Sequence, residues 1–497
     1  MYYRLCEHIG LRSWKRAPYA CYVKKEAFAK RLSKDDYELL CLCDGAHDLP
    51  GSDRLKRLEE EGFVVPCRKG DLPDEWSLPR RYDNRYFPKM NLMITGKCNY
   101  NCRHCFNAAD NAPLMAEWAF EPLLGLLDQA RDCGIHAFTI TGGEPMLHPR
   151  FMDILGEIIR RDMFVEELNT NGFFITADVL SQMKSMGCRP LMKISFDGIG
   201  CHDWMRAAKG TEERTLSAIR RCVQNRFPVM VQMQVNKKNL ESLLPSLDML
   251  EQEGVRSVRL IRTTESGRWR LNHGDVILSF PEYYEQMLAL AERYCKNEHR
   301  MDIDIWQFLH VYPAERSFSI GPVQQSGGMY RGSAPVCRGN RGMVAVTAEG
   351  DLVPCLQLSG YYKLYGLKLG NLHDTALKDL LTESSYLDTV CATVDQLKNG
   401  NAECASCEHF RYCCGGCRAI GIMLSGVKYD KFGTDRSKCR FFKDGWYEKT
   451  TLALRGWKNL TAVHCGKAAD QGENGWNDLT AGHHRTAGGV RGFYCCF

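Results

Sequence analysis

From Asn91 to about Asp304 the chain alternates strand-like and helix-like segments, and this alternation limits the fold more than any other feature. Runs of apolar and β-branched residues predict strands over 91–95, 136–141, 164–169, 191–196, 229–235 and 256–261. Apolar residues at helical spacing predict helices over about 117–132, 150–162, 175–187, 211–225, 239–253 and 281–296. Six βα units in series call for a parallel sheet with right-handed crossovers. Eight such units close a barrel; six should curl into a partial one, with ligands at the C-terminal strand ends.

The segments after those strand ends carry the chemistry. The first strand runs into KCNYNCRHCF, where Cys98, Cys102 and Cys105 form a C-x3-C-x2-C triplet on one tight loop. Thiolates are soft ligands that select iron-sulfur clusters or zinc, and a closed structural site takes four of them. Three leave one metal position open to bind and activate something else. The second strand leads into Thr141-Gly142-Gly143-Glu144-Pro145, where paired glycines allow close backbone approach and a carboxylate beside exposed carbonyls suits an ammonium group. Alone, that motif also reads as an ordinary turn. After the third strand, Asn169-Thr170-Asn171-Gly172 offers amide and hydroxyl groups suited to a ribose. After the fourth, Ser195-Phe196-Asp197-Gly198 precedes His202, Asp203 and Arg206. His202 and Asp203 read as a helix cap and surface residues. Gln232, Gln234 and Asn236 on the fifth strand and Arg259 and Arg262 on the sixth either face the cavity or are ordinary strand and surface residues.

A second cysteine set lies toward the C-terminus. Cys337, Gly350 and Cys355 give C-x12-G-x4-C; Cys404, Cys407, Cys413 and Cys417 give C-x2-C-x5-C-x3-C; Cys439 closes the set. Read from the residues, these are iron-sulfur ligands or a pair of zinc sites.

The triplet, the GGEP turn and the strand order resemble the radical S-adenosylmethionine (SAM) enzymes, and the later cysteines resemble their SPASM extension. The resemblance implies an α/β fold: a partial (βα)6 radical SAM barrel over 91–304 and a SPASM domain over 305–449. It implies a 4Fe-4S cluster on Cys98, Cys102 and Cys105 whose open iron takes the amino and carboxylate groups of S-adenosyl-L-methionine. Gly142, Gly143, Glu144 and Pro145 would hold the amino group, Asn169 and Asn171 would face the ribose, and Ser195 and Arg206 would contact carboxylate and ribose. His104 stands where the family has an aromatic residue against the cofactor. Two auxiliary iron-sulfur clusters would follow, one on Cys404, Cys407, Cys413 and Cys439, the other on Cys337, Cys355 and Cys417. The latter is one ligand short, since Gly332-Ser333-Ala334-Pro335 brings no thiol. A substrate thiolate would fill the gap, or else Cys414, Cys391 or a water.

Residues 1–70 read as a small α+β unit. Strand-like segments near 10–14 and 20–24 precede helical runs at 34–43 and 52–61 and a wing-like strand at 63–65. This resembles the winged-helix peptide-recognition domain of peptide maturases, in which a leader peptide adds a strand to a sheet edge. The stretch 44–52 is short for that fold's middle helix, and a scaffold that only packs on the barrel is the alternative. Residues 71–90 read as a linker, and 450–497 as a poorly ordered tail whose His483-His484 and Cys495-Cys496 pairs have no assigned role.

Composition narrows the partners. Across 497 residues, 65 Lys and Arg against 60 Asp and Glu give a net charge of only +5, with no long block of one sign. Neither nucleic acid nor a membrane is expected as a partner. No apolar run reaches a membrane-spanning length and no signal core is present, so 25 cysteines point to metal clusters in a reducing cytoplasm rather than to disulfides. The family resemblance then implies a precursor peptide with a leader as substrate and ferredoxin or flavodoxin as electron donor. A 5'-deoxyadenosyl radical would abstract hydrogen from the peptide and lead to a cross-link such as a cysteine thioether. Alternatives are formylglycine formation in a sulfatase, another peptide oxidation or decarboxylation, and a non-catalytic metal-binding scaffold.

Overall fold

A computed structural model describes residues 1–108, 115–323, 331–425 and 429–461. His483, His484, Cys495 and Cys496 lie outside the described residues.

The N-terminal unit comprises β1 (Tyr2–Leu5), β2 (Ile9–Trp14), β3 (Ala17–Val23), β4 (Lys30–Arg31), α1 (Lys34–Cys41), α2 (Asp53–Glu60), β5 (Val64–Cys67) and β6 (Arg80–Tyr82). Ser33 and Ser52 start the two helices by accepting the amides of Asp36 and Leu55, which satisfies donors that the first turn leaves free. Strands β1 and β5 pair antiparallel, and the other four form a sheet in the order β4-β3-β2-β6. No helix lies between Cys41 and Asp53.

Residues 71–90, expected to be a linker, are instead packed. Strand β6 runs parallel to β2, Arg12 donates to the Trp76 carbonyl at 2.8 Å, and Trp14 stacks on Tyr82 with ring centroids 5.0 Å apart. The aromatic residues of this stretch supply apolar surface that a solvated linker could not afford to expose. The same cluster fixes the unit to the barrel, because Tyr22 Oη donates to the Gly134 carbonyl at 2.8 Å.

The barrel is built from β7 (Lys89–Thr95), α3 (Phe120–Asp132), β8 (Ala137–Gly142), α4 (Phe151–Arg160), β9 (Phe164–Thr170), α5 (Ala177–Ser185), β10 (Leu191–Ser195), α6 (His202–Arg206), α7 (Thr211–Gln224), β11 (Val229–Val235), α8 (Leu243–Gln252), β12 (Ser257–Arg262), α9 (Trp269–Asn272) and α10 (Phe280–Cys295). All residues of β7 are buried, as expected of a parallel strand covered on both faces. Each helix turns an apolar stripe inward: α4 buries Phe151, Ile154, Leu155 and Ile158.

The sheet continues past the six expected strands at both ends. On one side β13 (Asp302–Ile305) joins β12 in parallel, followed by β14 (Leu309–Tyr312) and β15 (Ser317–Ile320). On the other, β16 (Met343–Val346) pairs in parallel with β7, and β17 (Leu352–Val353) pairs antiparallel with β16. Residues 450–461, expected in the tail, are ordered: β18 (Lys458–Asn459) pairs with β15 and the Thr461 hydroxyl accepts the Ile320 amide at 2.5 Å. Among the described residues no helix is long and apolar enough to cross a membrane.

Candidate functional site

The C-terminal ends of the barrel strands surround a cavity of about 620 Å³. Cys98, Cys102 and Cys105 all line it, with His104 from the same loop, Gly142 and Gly143 at the end of β8, Asn169 and Asn171 at the end of β9, Ser195 from β10, Gln232 from β11, and Arg206. Glu144, Pro145, Gln234, Asn236, Arg259 and Arg262 are not in its wall.

The glycines at the end of β8 are required by the backbone they touch. A Cβ on Gly142 would stand 2.4 Å from the Thr95 carbonyl oxygen, and one on Gly143 would stand 2.3 Å from that of Lys97. The turn therefore presses directly against the start of the cysteine loop, and the amides of Gly143 and Glu144 bond to the carbonyls of Thr95 and Lys97. The Glu144 side chain points away, under β9, where it accepts from the Thr170 hydroxyl at 2.9 Å and the Asn171 amide at 2.8 Å. Burial pushes its carboxyl up to about 7, against the pull of those hydrogen bonds. Asn171 ties the same strand end to the loop by donating to Asn99 Oδ1 at 2.8 Å.

A buried ion pair supports the opposite wall. Arg206 Nη2 lies 2.7 Å from Asp197 Oδ2, and Arg206 Nη1 reaches Cys102 Sγ at 3.7 Å. Burial alone would raise the Asp197 carboxyl; the Arg206 guanidinium, with the His202 ring beside it, overrides this and holds the group ionised, well below the usual carboxylate range. Burial raises the Cys102 thiol and the guanidinium opposes that rise. His202, read from the sequence as a surface residue, is fully buried: Nδ1 accepts the Asp197 amide at 3.1 Å and Nε2 faces Thr215 Oγ1 at 3.1 Å. Asp203 is a cap, but for the next helix, accepting the amides of Gly210, Thr211 and Glu212 at the start of α7.

Among the described residues, buried polar atoms of the lining that have no hydrogen-bond partner include Asn169 Oδ1, Gln232 Nε2, His104 Nδ1, Tyr100 Oη and Arg206 Nε. Desolvated groups of this kind cost about 1–3 kcal/mol each unless something pairs with them. Burial and then Arg206 push His104 down to about 3, so its imidazole is neutral. Three thiols beside unpaired polar atoms fit a cluster with an open metal position and a polar cosubstrate. Among the described residues no three thiol, imidazole or carboxylate side chains already stand at metal-ligating spacing, so the fit rests on this donor set. Sequence reading missed Tyr100 and the segment Ser266–Arg268. A Cβ on Gly267 would meet the Cys105 carbonyl oxygen at 2.2 Å, and the Arg268 amide donates to that oxygen at 2.9 Å, so the segment seals one side of the loop. A lone glycine between ordinary residues carried no signal for this.

The later cysteines fall into two neighbourhoods. Burial and then Cys439 and Cys407 push the Cys404 thiol up to about 11, and burial with Cys404 and Cys407 nearby pushes Cys413 up to about 12. Cys417, pushed up to about 11 by burial and then Asp435, has Cys337 close by. Cys355 is buried, and Cys391 lies in a different cavity from the barrel site. Soft thiol donors in these groupings suit iron-sulfur ligation.

Below the cavity the barrel interior holds charged pairs. Lys193 Nζ meets Glu167 at 2.7 Å, Arg259 Nε meets Asp304 at 2.6 Å, and Lys89 contacts Glu166. Arg262, instead of facing the cavity, pairs with Glu265 at 2.7 Å over the Phe280 ring; Asn236 is buried in a turn with Asn239.

Comparison with known proteins agrees with this layout. Residues 92–250 match the radical SAM superfamily and residues 337–408 match the SPASM iron-sulfur cluster-binding domain. An AdoMet-dependent heme synthase of Methanosarcina barkeri is 24% identical over 340 residues, 67% of this chain and 91% of that protein. A PqqA peptide cyclase of Granulibacter bethesdensis is 21% identical over 346 residues, 68% of this chain and 85% of that one. In fold, the chain is similar to Streptococcus suis SuiB crystallised with its precursor peptide SuiA, with a TM-score of 0.60 at 13% identity, covering 86% of this chain and 98% of SuiB.

Proposed function

The chain is a radical SAM enzyme carrying a SPASM iron-sulfur domain, and we propose that its substrate is a ribosomally made precursor peptide in which it forms a cross-link such as a cysteine thioether. What supports a peptide is the fold likeness to a protein solved with its precursor peptide, which reaches 86% of the chain. The PqqA peptide cyclase adds a peptide-modifying relative by sequence.

Cys98, Cys102 and Cys105 would hold the 4Fe-4S cluster, which together with bound SAM supplies a 5'-deoxyadenosyl radical able to take hydrogen from an unactivated carbon. The backbone at Gly142 and Gly143 borders the place where the SAM amino group would lie, and Asn169, Asn171, Ser195 and Gln232 offer partners for its polar groups. Arg206 is held in position by Asp197 and puts positive charge beside Cys102. Neutral His104 contributes a flat ring without a charge of its own. Cys404, Cys407, Cys413 and Cys439 would hold one auxiliary cluster, and Cys337, Cys355 and Cys417 the other. Ferredoxin or flavodoxin would be the electron donor. Joining a cysteine sulfur to carbon removes one hydrogen from each: the carbon's would leave as an atom to the 5'-deoxyadenosyl radical and the sulfur's as a proton, with the one remaining electron passing to an auxiliary iron-sulfur cluster.

The test is anaerobic co-expression with a candidate precursor peptide, beside the C98A/C102A/C105A variant. The expected result is a mass loss of about 2 Da per cross-link, absent in the variant and located between two residues by fragmentation. A loss confined to one serine or cysteine points instead to formylglycine formation. Conversion of an iron tetrapyrrole, with peptides unchanged, would replace the peptide reading with that of the heme synthase relatives.

A further inference from the structure

Away from the cysteine loop, a cleft of about 1100 Å³ runs between the N-terminal unit and the C-terminal part of the chain. One wall is Ala17, Pro18 and Tyr19 of β3 with Arg31 of β4; the other includes Ser333, Pro335 and Leu387. Its charge is one-sided. Arg16, Arg31, Arg85, Arg341 and Lys431 line it, against Asp388 as the sole lining carboxylate among the described residues. The chain as a whole nearly balances, so the excess is local.

Arg31, Arg85 and Lys431 form no ion pair among the described residues, while surface cations close by in the N-terminal unit do, Lys30 with Glu26 at 3.6 Å and Arg54 with Asp35 at 2.8 Å. Arg341 is held in place, donating to the Tyr86 carbonyl and lying 4.8 Å from the Phe87 ring centroid. A concave surface of one charge concentrates anions, and guanidinium forks bind carboxylates in two-point fashion. Pro18, Tyr19, Pro335 and Leu387 add apolar contacts between the cations. The volume exceeds the roughly 300–1,000 Å³ of small-molecule sites and suits an extended chain segment.

Strand addition is a poor way to fill it. On the cleft side of β3 the Tyr19 carbonyl already accepts the Leu32 amide at 2.8 Å, Ala20 and Cys21 pair with Arg31 and Lys30, and Pro18 has no amide hydrogen to give. Recognition here falls to side chains.

We propose that this cleft binds an acidic stretch of the peptide substrate, rich in glutamate or aspartate with apolar residues interspersed; the proposal rests on the peptide reading of the active site. Carboxylates of the segment pair with Arg31, Arg85, Arg341 and Lys431, and its apolar side chains lie on Tyr19, Pro335 and Leu387.

Fluorescence anisotropy with the full-length, cluster-loaded protein tests it, using a fluorescein-labelled peptide of glutamate, leucine and serine, its counterpart with glutamine at every glutamate, and a labelled oligothymidine. The acidic peptide should bind at least about tenfold tighter than the glutamine peptide and weaken as salt rises. R31E/K431E should lose about tenfold in affinity for the acidic peptide, and R31Q/K431Q should lose less, with circular dichroism and thermal midpoint as the folding controls. Equal binding of the acidic and glutamine peptides by the wild type overturns the proposal without recourse to any variant. So do unchanged affinity in folded R31E/K431E and displacement of the acidic peptide by tighter-binding oligothymidine. Because binding is read without turnover, cross-linking by a protein that ignores peptide charge defeats the cleft alone. Charge-dependent binding by a protein that alters no peptide defeats the active-site reading alone.

Discussion

On β9 and β10, residues two apart share a face of the barrel and meet opposite fates. Glu167 and Lys193 pair at 2.7 Å, and Arg259 pairs with Asp304 at 2.6 Å, while two residues further along β9 Asn169 Oδ1, and across the cavity Gln232 Nε2, have no protein partner. In the lower layer charge stands against charge; in the upper layer these polar atoms meet no protein partner. Buried polar groups that satisfy one another are architecture, and buried polar groups left waiting are a binding surface. The strands thus carry a structural layer and a chemical layer a few ångströms apart.

The sharpest way to separate the layers is at the cysteine loop. Removing one ligand, as in C98A, should end SAM cleavage in an anaerobic assay yet leave the urea midpoint of the metal-free protein where it was; a large shift of that midpoint would mean that the loop is part of the architecture. Breaking the lower layer should do the reverse. K193M strands Glu167 in the interior and should cost about 3–5 kcal/mol in urea unfolding, while K193M/E167L should recover most of it, since matched apolar residues replace buried ion pairs at little or no loss. Equal stability of K193M and wild type would show that the pair is not what fills the barrel floor.

Smaller effects refine the contrast. Q232L should weaken SAM binding about tenfold by anaerobic calorimetry with thermal stability unchanged, as expected for one hydrogen bond to a polar ligand. Glu144 predicts a pH effect of definite sign. Its folded pKa, raised from the ordinary 4.5 to about 7, means that the folded state holds a proton which the unfolded state has released, so this stability is complete below 4.5 and is lost as pH rises toward 7. The unfolding midpoint of the metal-free protein should therefore fall across that window, and E144Q should flatten the fall.

The parallel core was legible in the sequence because its signals are local. Strands such as β11 alternate with long amphipathic helices, and the expected bounds fall within three or four residues of those found. The additions at either end were not legible. Strands β13 and β16 have four residues each, too few for a periodicity, and what makes them strands is the neighbour each one finds. The segment 71–90 misled because its prolines and charges read as solvated, whereas Trp76 and Tyr82 pack around Trp14. At the site, the GG turn was visible but the reason for its glycines was not. They lie against the Thr95 and Lys97 carbonyls, a contact between two strand ends that no single window of sequence contains. His202 was misjudged in the same way, since its burial depends on Thr215 and Asp197 coming from different elements.

The pairing of β7 with β16 also has a consequence for synthesis on the ribosome. Asn91 and Met343 touch although they are 252 positions apart in the chain. Until the segment through Val346 emerges, the strand that leads into the cysteine loop has an open flank, a surface prone to mispairing. That edge of the sheet is therefore completed only after most of the chain has been made.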